Sequence, residues 1–97
     1  MQFRVVKNKR PSTLLIFPNP GVGFVQVRYI IMSITEPKSA KILVYNSLGK
    51  PMVETEQSAQ IGENSYFVDT KQFSAGRYYA MVIINGAEVI SAPFVVK

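Results

Sequence analysis

Phe73-Ser74-Ala75-Gly76-Arg77-Tyr78-Tyr79-Ala80-Met81-Val82-Ile83-Ile84-Asn85-Gly86-Ala87-Glu88-Val89-Ile90-Ser91-Ala92-Pro93-Phe94-Val95-Val96-Lys97 reads as a corner followed by a β-hairpin. Asn85-Gly86 is the strongest short-range signal for one, because a type I′ turn needs both central residues at positive φ. A two-residue loop sets Ile84 opposite Ala87, Ile83 opposite Glu88, Val82 opposite Val89 and Met81 opposite Ile90. Side chains then alternate between faces. One face would carry Tyr78, Ala80, Val82, Ile84, Val89, Ser91 and Val95; the other would carry Tyr79, Met81, Ile83, Ile90, Ala92 and Phe94, interrupted by Glu88. Apolar residues on both faces predict that this chain or a partner covers the second one.

Upstream, short strand signals alternate with turn signals. Leu14-Leu15-Ile16-Phe17 stops at Pro18-Asn19-Pro20-Gly21, where two prolines fix φ and remove ladder donors. Val25, Val27, Tyr29 and Ile31 have the period of a half-buried strand ending near Ser33, and residues 34–39 connect it to Lys41-Ile42-Leu43-Val44-Tyr45. Asn46-Ser47-Leu48-Gly49 supplies the turn from which Lys50 to Glu56 returns as an edge strand with a polar face. Gln57 to Glu63 reads as a loop and Ser65 to Asp69 as a strand. Tyr78 follows the corner at the place where a hydroxyl can return to upstream backbone, or where an ordinary core tyrosine would stand. Seven short strands and no sustained helical period predict an all-β, immunoglobulin-like antiparallel β-sandwich; a five-stranded barrel fits the strand count less well.

The 97 residues, 47% hydrophobic, suit one domain with a core that needs no disulfide. Residues 13–97 form that domain, and residues 1–12 read as a basic linker or simply the edge of a longer chain. The net charge of +5 is concentrated there: Arg4, Lys7, Lys9 and Arg10 fall in the first ten residues, and the remainder holds seven bases against six acids. A near-neutral body argues against nucleic acid as a partner, since phosphate tracking needs a basic stripe. No run approaches the roughly 18 to 20 apolar residues of a membrane-spanning helix, and the first seven residues lack the apolar centre of a signal peptide.

With no His and no Cys, the common nucleophile, base and metal-ligand sets cannot be assembled, so neither an enzyme nor a cofactor is expected. Glu54 and Glu56 share a strand face but read as a solvated surface, and the acids lack the clustering calcium requires. Gly21-Val22-Gly23 is not a dinucleotide fingerprint, because Gln26 stands at the third glycine position and no helix follows. Tyr29, Tyr45, Tyr66, Phe67, Tyr78, Tyr79 and Phe94 are core candidates or, alternatively, a stacking platform.

Taken together, these signals resemble the type A C-terminal sorting domain of cargo proteins of the type IX secretion system of Bacteroidota. The likeness runs from about Leu14 to Lys97 and rests on Phe17-Pro18-Asn19-Pro20, Ile42 to Gly49-Lys50, Asn64 before Phe67-Val68-Asp69, Phe73-Ser74-Ala75-Gly76-Arg77-Tyr78, and Phe94-Val95-Val96-Lys97. Pro18, Asn19, Pro20, Gly49, Lys50, Gly76 and Tyr78 are its structural motif positions. Pro93, where many relatives place lysine, and Phe73, where leucine is common, depart from it. Pro93 also argues for an exposed edge there and against a fully paired last strand.

The resemblance implies a sandwich at the end of a cargo protein that enters the periplasm by a separate signal peptide. The outer-membrane translocation machinery reads it, and a sortase-like peptidase commonly removes it in the linker while the cargo is joined to the cell surface; other cargo is secreted. Candidate recognition residues are Tyr79, Met81, Ile83, Ile90, Phe94, Val95, Val96 and Lys97, through the hairpin's second face or through edge pairing along Val89 to Val96, which could also pair two copies. The competing reading is an adhesive or carbohydrate-binding accessory module.

Overall fold

The computed structural model describes residues 12–32 and 39–97. The basic leader read as a linker, up to Pro11, and most of the 34–39 connection lie outside the described residues. Seven strands follow one another: β1 Thr13–Phe17, β2 Phe24–Ile31, β3 Ser39–Asn46, β4 Pro51–Ser58, β5 Gly62–Asp69, β6 Gly76–Ile84 and β7 Glu88–Val96. They form two antiparallel sheets, β1-β2-β5 and β4-β3-β6-β7, with no helix among the described residues. The expected β-sandwich is the observed fold. The stretch expected as a long loop after Glu56 is shorter, since β4 runs to Ser58 and β5 begins at Gly62.

Alternation decides what lies between the sheets. Val25, Val27, Tyr29 and Ile31 of β2 are fully buried, as are Ala40, Ile42 and Val44 of β3 and Ala80 and Val82 of β6. Burying each large aliphatic side chain is worth about 1.5–3 kcal/mol, so these strands supply most of the driving force. Tyr29 carries the one phenol at the centre of the β2 inner row. Gln57, reaching in from β4, donates its side-chain amide to that hydroxyl, as a buried hydroxyl requires. Burial raises the Tyr29 phenol above its ordinary value of 10.0, against a smaller opposing effect of the Gln57 hydrogen bond.

The turns form for the reasons their residues suggest. Asn46 Oδ1 accepts from the amides of Leu48 and Lys50, both at 2.9 Å, and Gly49 takes the left-handed φ of +87° that closes the turn. At the corner before β6, Tyr78 Oη donates to the Ser74 carbonyl at 2.7 Å while its ring packs between Phe73 and Phe94. The tyrosine corner therefore wins over the plain core tyrosine.

Candidate functional site

The terminal hairpin differs from the sequence-based expectation by one residue, and that residue re-sorts the candidate site. Asn85 and Gly86 take φ of +52° and +71°, and the Ala87 amide donates to the Ile84 carbonyl at 2.9 Å, so the expected tight turn is present. The ladder, however, resumes at Ile84 opposite Glu88, which leaves Ala87 outside it. A one-residue shift moves every β7 side chain to the other face. Ile90, Phe94 and Val96 consequently join Tyr78, Ala80, Val82 and Ile84 on the inner side, and Phe94 and Val96 are 1% and 2% exposed. Phe94 and Val96 are core residues and Ile90 is half-buried against the core, contrary to the expected place of Ile90 and Phe94 on the second, recognition face.

The outer face of the four-stranded sheet instead carries Tyr79, Met81 and Ile83 from β6 beside Pro93, Ser91 and Val89 from β7, with Val95 opposite Arg77. Leu43 of β3 lies directly opposite Met81 and is itself almost covered by its neighbours. Tyr79, Val89 and Val95 are exposed. Thus the expectation of a second apolar face holds with different members. No described segment of the chain is seen to cover it.

The edge of β7 is less open than Pro93 suggested. Asn19 Oδ1 accepts from the Val95 amide at 3.0 Å, the Gly21 amide donates to the Val95 carbonyl at 2.7 Å, and the Lys97 amide donates to the Gly21 carbonyl at 3.0 Å. At the other end, Glu88 accepts from the Ser12 amide at 2.8 Å and from its hydroxyl at 3.1 Å. β1 therefore flanks β7 in parallel, tied to it at both ends. Because Val95 turns both its amide and its carbonyl away from β6, so does Pro93 two residues earlier. The proline's missing N–H thus costs the β6–β7 ladder nothing, and β7 pairs along its full length, contrary to the doubt Pro93 raised.

The motif positions, scattered in sequence, converge in space. The Pro18–Pro20 turn, Gly49-Lys50 and Gly76–Tyr78 all stand at the end of the sandwich where β7 finishes, while Ser12 enters at the opposite end, about 25 Å away for eight-residue strands. Both prolyl bonds of that turn, Phe17–Pro18 and Asn19–Pro20, are cis. Two contributors escaped the sequence reading. Gly21 is buried, and a Cβ on it would lie 2.5 Å from Val25 Cγ1; its signal was the Pro-Asn-Pro-Gly turn itself. The other is Phe24, whose ring stacks on Phe67 at 5.4 Å on the outer side of the three-stranded sheet, both rings exposed.

Residues 15–97 match the protein family described as the secretion system C-terminal sorting domain. The chain belongs to that family. As a type IX sorting domain it is a signal for export across the outer membrane, to the cell surface or beyond, and it acts attached to a cargo domain and in contact with the type IX machinery. No curated protein matches the chain. Among solved structures, the sorting domain is similar to a hypothetical protein of Pyrococcus horikoshii OT3 (TM-score 0.52, 12% identity, covering 94% of this chain and 90% of that one). It is also similar to a superoxide reductase, neelaredoxin, from Ignicoccus hospitalis (TM-score 0.51, 14% identity, 91% and 80% covered). At such identities these likenesses show the fold alone. The sorting domain has no His or Cys, and no cluster of three or more metal-ligating side chains occurs among its described residues.

Proposed function

We propose that this sorting domain is a non-catalytic signal read on the outer face of the β6–β7 hairpin, where the outer-membrane translocation machinery contacts Tyr79, Met81, Ile83 and Val95. The observation that carries this reading is the apolar outer row itself. A solvated sheet face is ordinarily polar, and these side chains add nothing to the core on the other side. Face docking is favoured over edge pairing, with a receptor or with a second copy, because Asn19 and Gly21 already occupy the edge at Val95 to Lys97. In this reading the cargo crosses the periplasm first. A sortase-like peptidase then cuts ahead of Ser12, at the end of the sandwich remote from the C-terminal residues.

Deleting Phe94 to Lys97 would be a poor test, because it removes two core side chains along with any signal. The discriminating reporter carries a periplasmic signal peptide and this chain with Met81→Lys and Ile83→Lys, expressed in a host with the type IX machinery. A variant that folds by circular dichroism but stays in the periplasm supports the face. Export equal to the parent sinks it. The stacked, exposed Phe24–Phe67 pair is the observation that favours the second reading, an adhesive or carbohydrate-binding module, since sugar rings pack on aromatic faces. Glycan binding lost in Phe67→Ser, with export unaffected by the Lys pair, would decide for it.

A further inference from the structure

The charge of the body is nearly balanced in sum but not in space. Lys50, Lys71, Arg77 and Lys97 all stand at the end where β7 finishes, against the single side-chain carboxylate of Asp69 there among the described residues. Among the other described residues the bases are matched: Arg28 pairs with Glu63 at 2.9 Å and Lys41 with Glu54 at 3.3 Å. No ion pair is formed by Lys50, Lys71, Arg77 or Lys97 among the described residues.

Between two of these bases the fold leaves a cleft of about 300 Å³. One wall is the Asn46–Lys50 turn and the other the corner from Gln72 to Arg77, with Met52 and Tyr78 also in the lining. Lys50 belongs to one wall and Arg77 to the other, the Arg77 guanidinium lying 5.8 Å over the Tyr79 ring; Gln72 and Ser74 add neutral polar groups, and no carboxylate lines the cleft. Both walls are held: one by the Asn46 side chain in its turn, the other by the Tyr78 hydroxyl on Ser74. Leu48, 91% exposed, stands at the rim.

We infer that this cleft binds an acidic peptide segment of a partner protein, a carboxylate seated between Lys50 and Arg77 and a neighbouring apolar side chain laid on Leu48. A free phosphate or a nucleic-acid backbone would use the cations but leave Leu48 and the Met52–Tyr78 side of the lining unused. Attraction by the surrounding bases would speed encounter and weaken with salt. The inference adds a second contact surface to the sorting reading, and it rests on that reading only for the partner's identity.

The test uses the full chain, isotope-labelled, titrated at low salt with a short peptide of alternating Glu and Leu. Its Gln–Leu counterpart and inorganic phosphate serve as controls. Expected are amide shifts at Lys50, Gln72, Ser74 and Arg77 with the acidic peptide alone, reduced about tenfold or more in affinity by Lys50→Glu with Arg77→Glu. Both side chains are exposed, so the melting temperature of the double variant should match the parent. Equal shifts with the Gln–Leu peptide, the same shifts with phosphate, shifts that depend only on protein concentration, or none at these amides would each overturn the cleft. Hairpin-dependent export of the reporter would still stand in any of those cases, so the two readings fail separately.

Discussion

Tyr29 shows how much one hydroxyl constrains. Its ring fills the centre of the core, its oxygen is satisfied by Gln57 from across the sandwich, and burial raises its pKa above 10.0. The sign follows directly: the unfolded phenol ionises first, so the folded state keeps its full stability below about pH 10 and loses it as pH rises through the higher folded value. Denaturant titrations between neutral pH and pH 11 should show this alkaline loss in the parent and less of it in Tyr29→Phe. At Gly21 an added Cβ would lie 2.5 Å from Cγ1 of the buried Val25, so any side chain there forces a shift. Gly21→Ala should cost about 1–3 kcal/mol and speed hydrogen exchange at the Val95 and Lys97 amides, which normal exchange rates there would contradict. Tyr78→Phe removes the hydrogen bond to Ser74 and should cost about 1 kcal/mol, a fall of roughly 4–8 °C in melting temperature.

At the scale of the element, the hairpin turns on Ala87. Because Ala87 lies outside the ladder, deleting it leaves Ile84 opposite Glu88 and every β7 side chain on its present face. Such a deletion should keep the fold, with a change in stability within about 1 kcal/mol on turn chemistry alone. Deleting Val89 instead would turn Ile90, Phe94 and Val96 outward, forfeiting about 1.5–3 kcal/mol for each of the buried Phe94 and Val96 and less for the half-buried Ile90. That approaches the whole stability of a small domain, and loss of the cooperative thermal transition is the expected result. If both deletions melted alike, the observed register would be wrong. The sequence located the turn correctly, since Asn85-Gly86 do take positive φ. It left open whether two or three residues would close the loop, because apolar side chains on both sides of β7 gave the pattern no polar face by which to choose.

For the whole molecule, the two-sheet arrangement separates roles by face and by end. The leader enters at Ser12, the C-terminal residues finish at the far end beside the motif turns, and the apolar outer row lies along the sheet between them. The proposed reading surface lies on the side opposite the core, so outer-face variants should lose export while keeping the fold. Because Met81 and Ile83 are half-buried beside Leu43, the Met81→Lys and Ile83→Lys variant should lose no more than about 1–3 kcal/mol and still unfold in one cooperative transition. A large drop in melting temperature would show that the outer row contributes to folding after all.

The chain by itself determined the seven strands, most of their turns and the family, because alternation, Asn-Gly and Pro-Asn-Pro signals act over a few residues, and the motif order survives without the fold. It also placed β4 at an edge, where Glu54 and Glu56 remain exposed. What only the tertiary structure decided is which apolar residues of the hairpin face out, what guards the edge of β7, and where the charges gather. Each depends on residues far apart in sequence: Glu88 holds Ser12, Asn19 holds Val95, and Lys50 and Arg77 line one cleft. Local patterns carry no information about such encounters, since closing the chain around a sandwich sets them all at once.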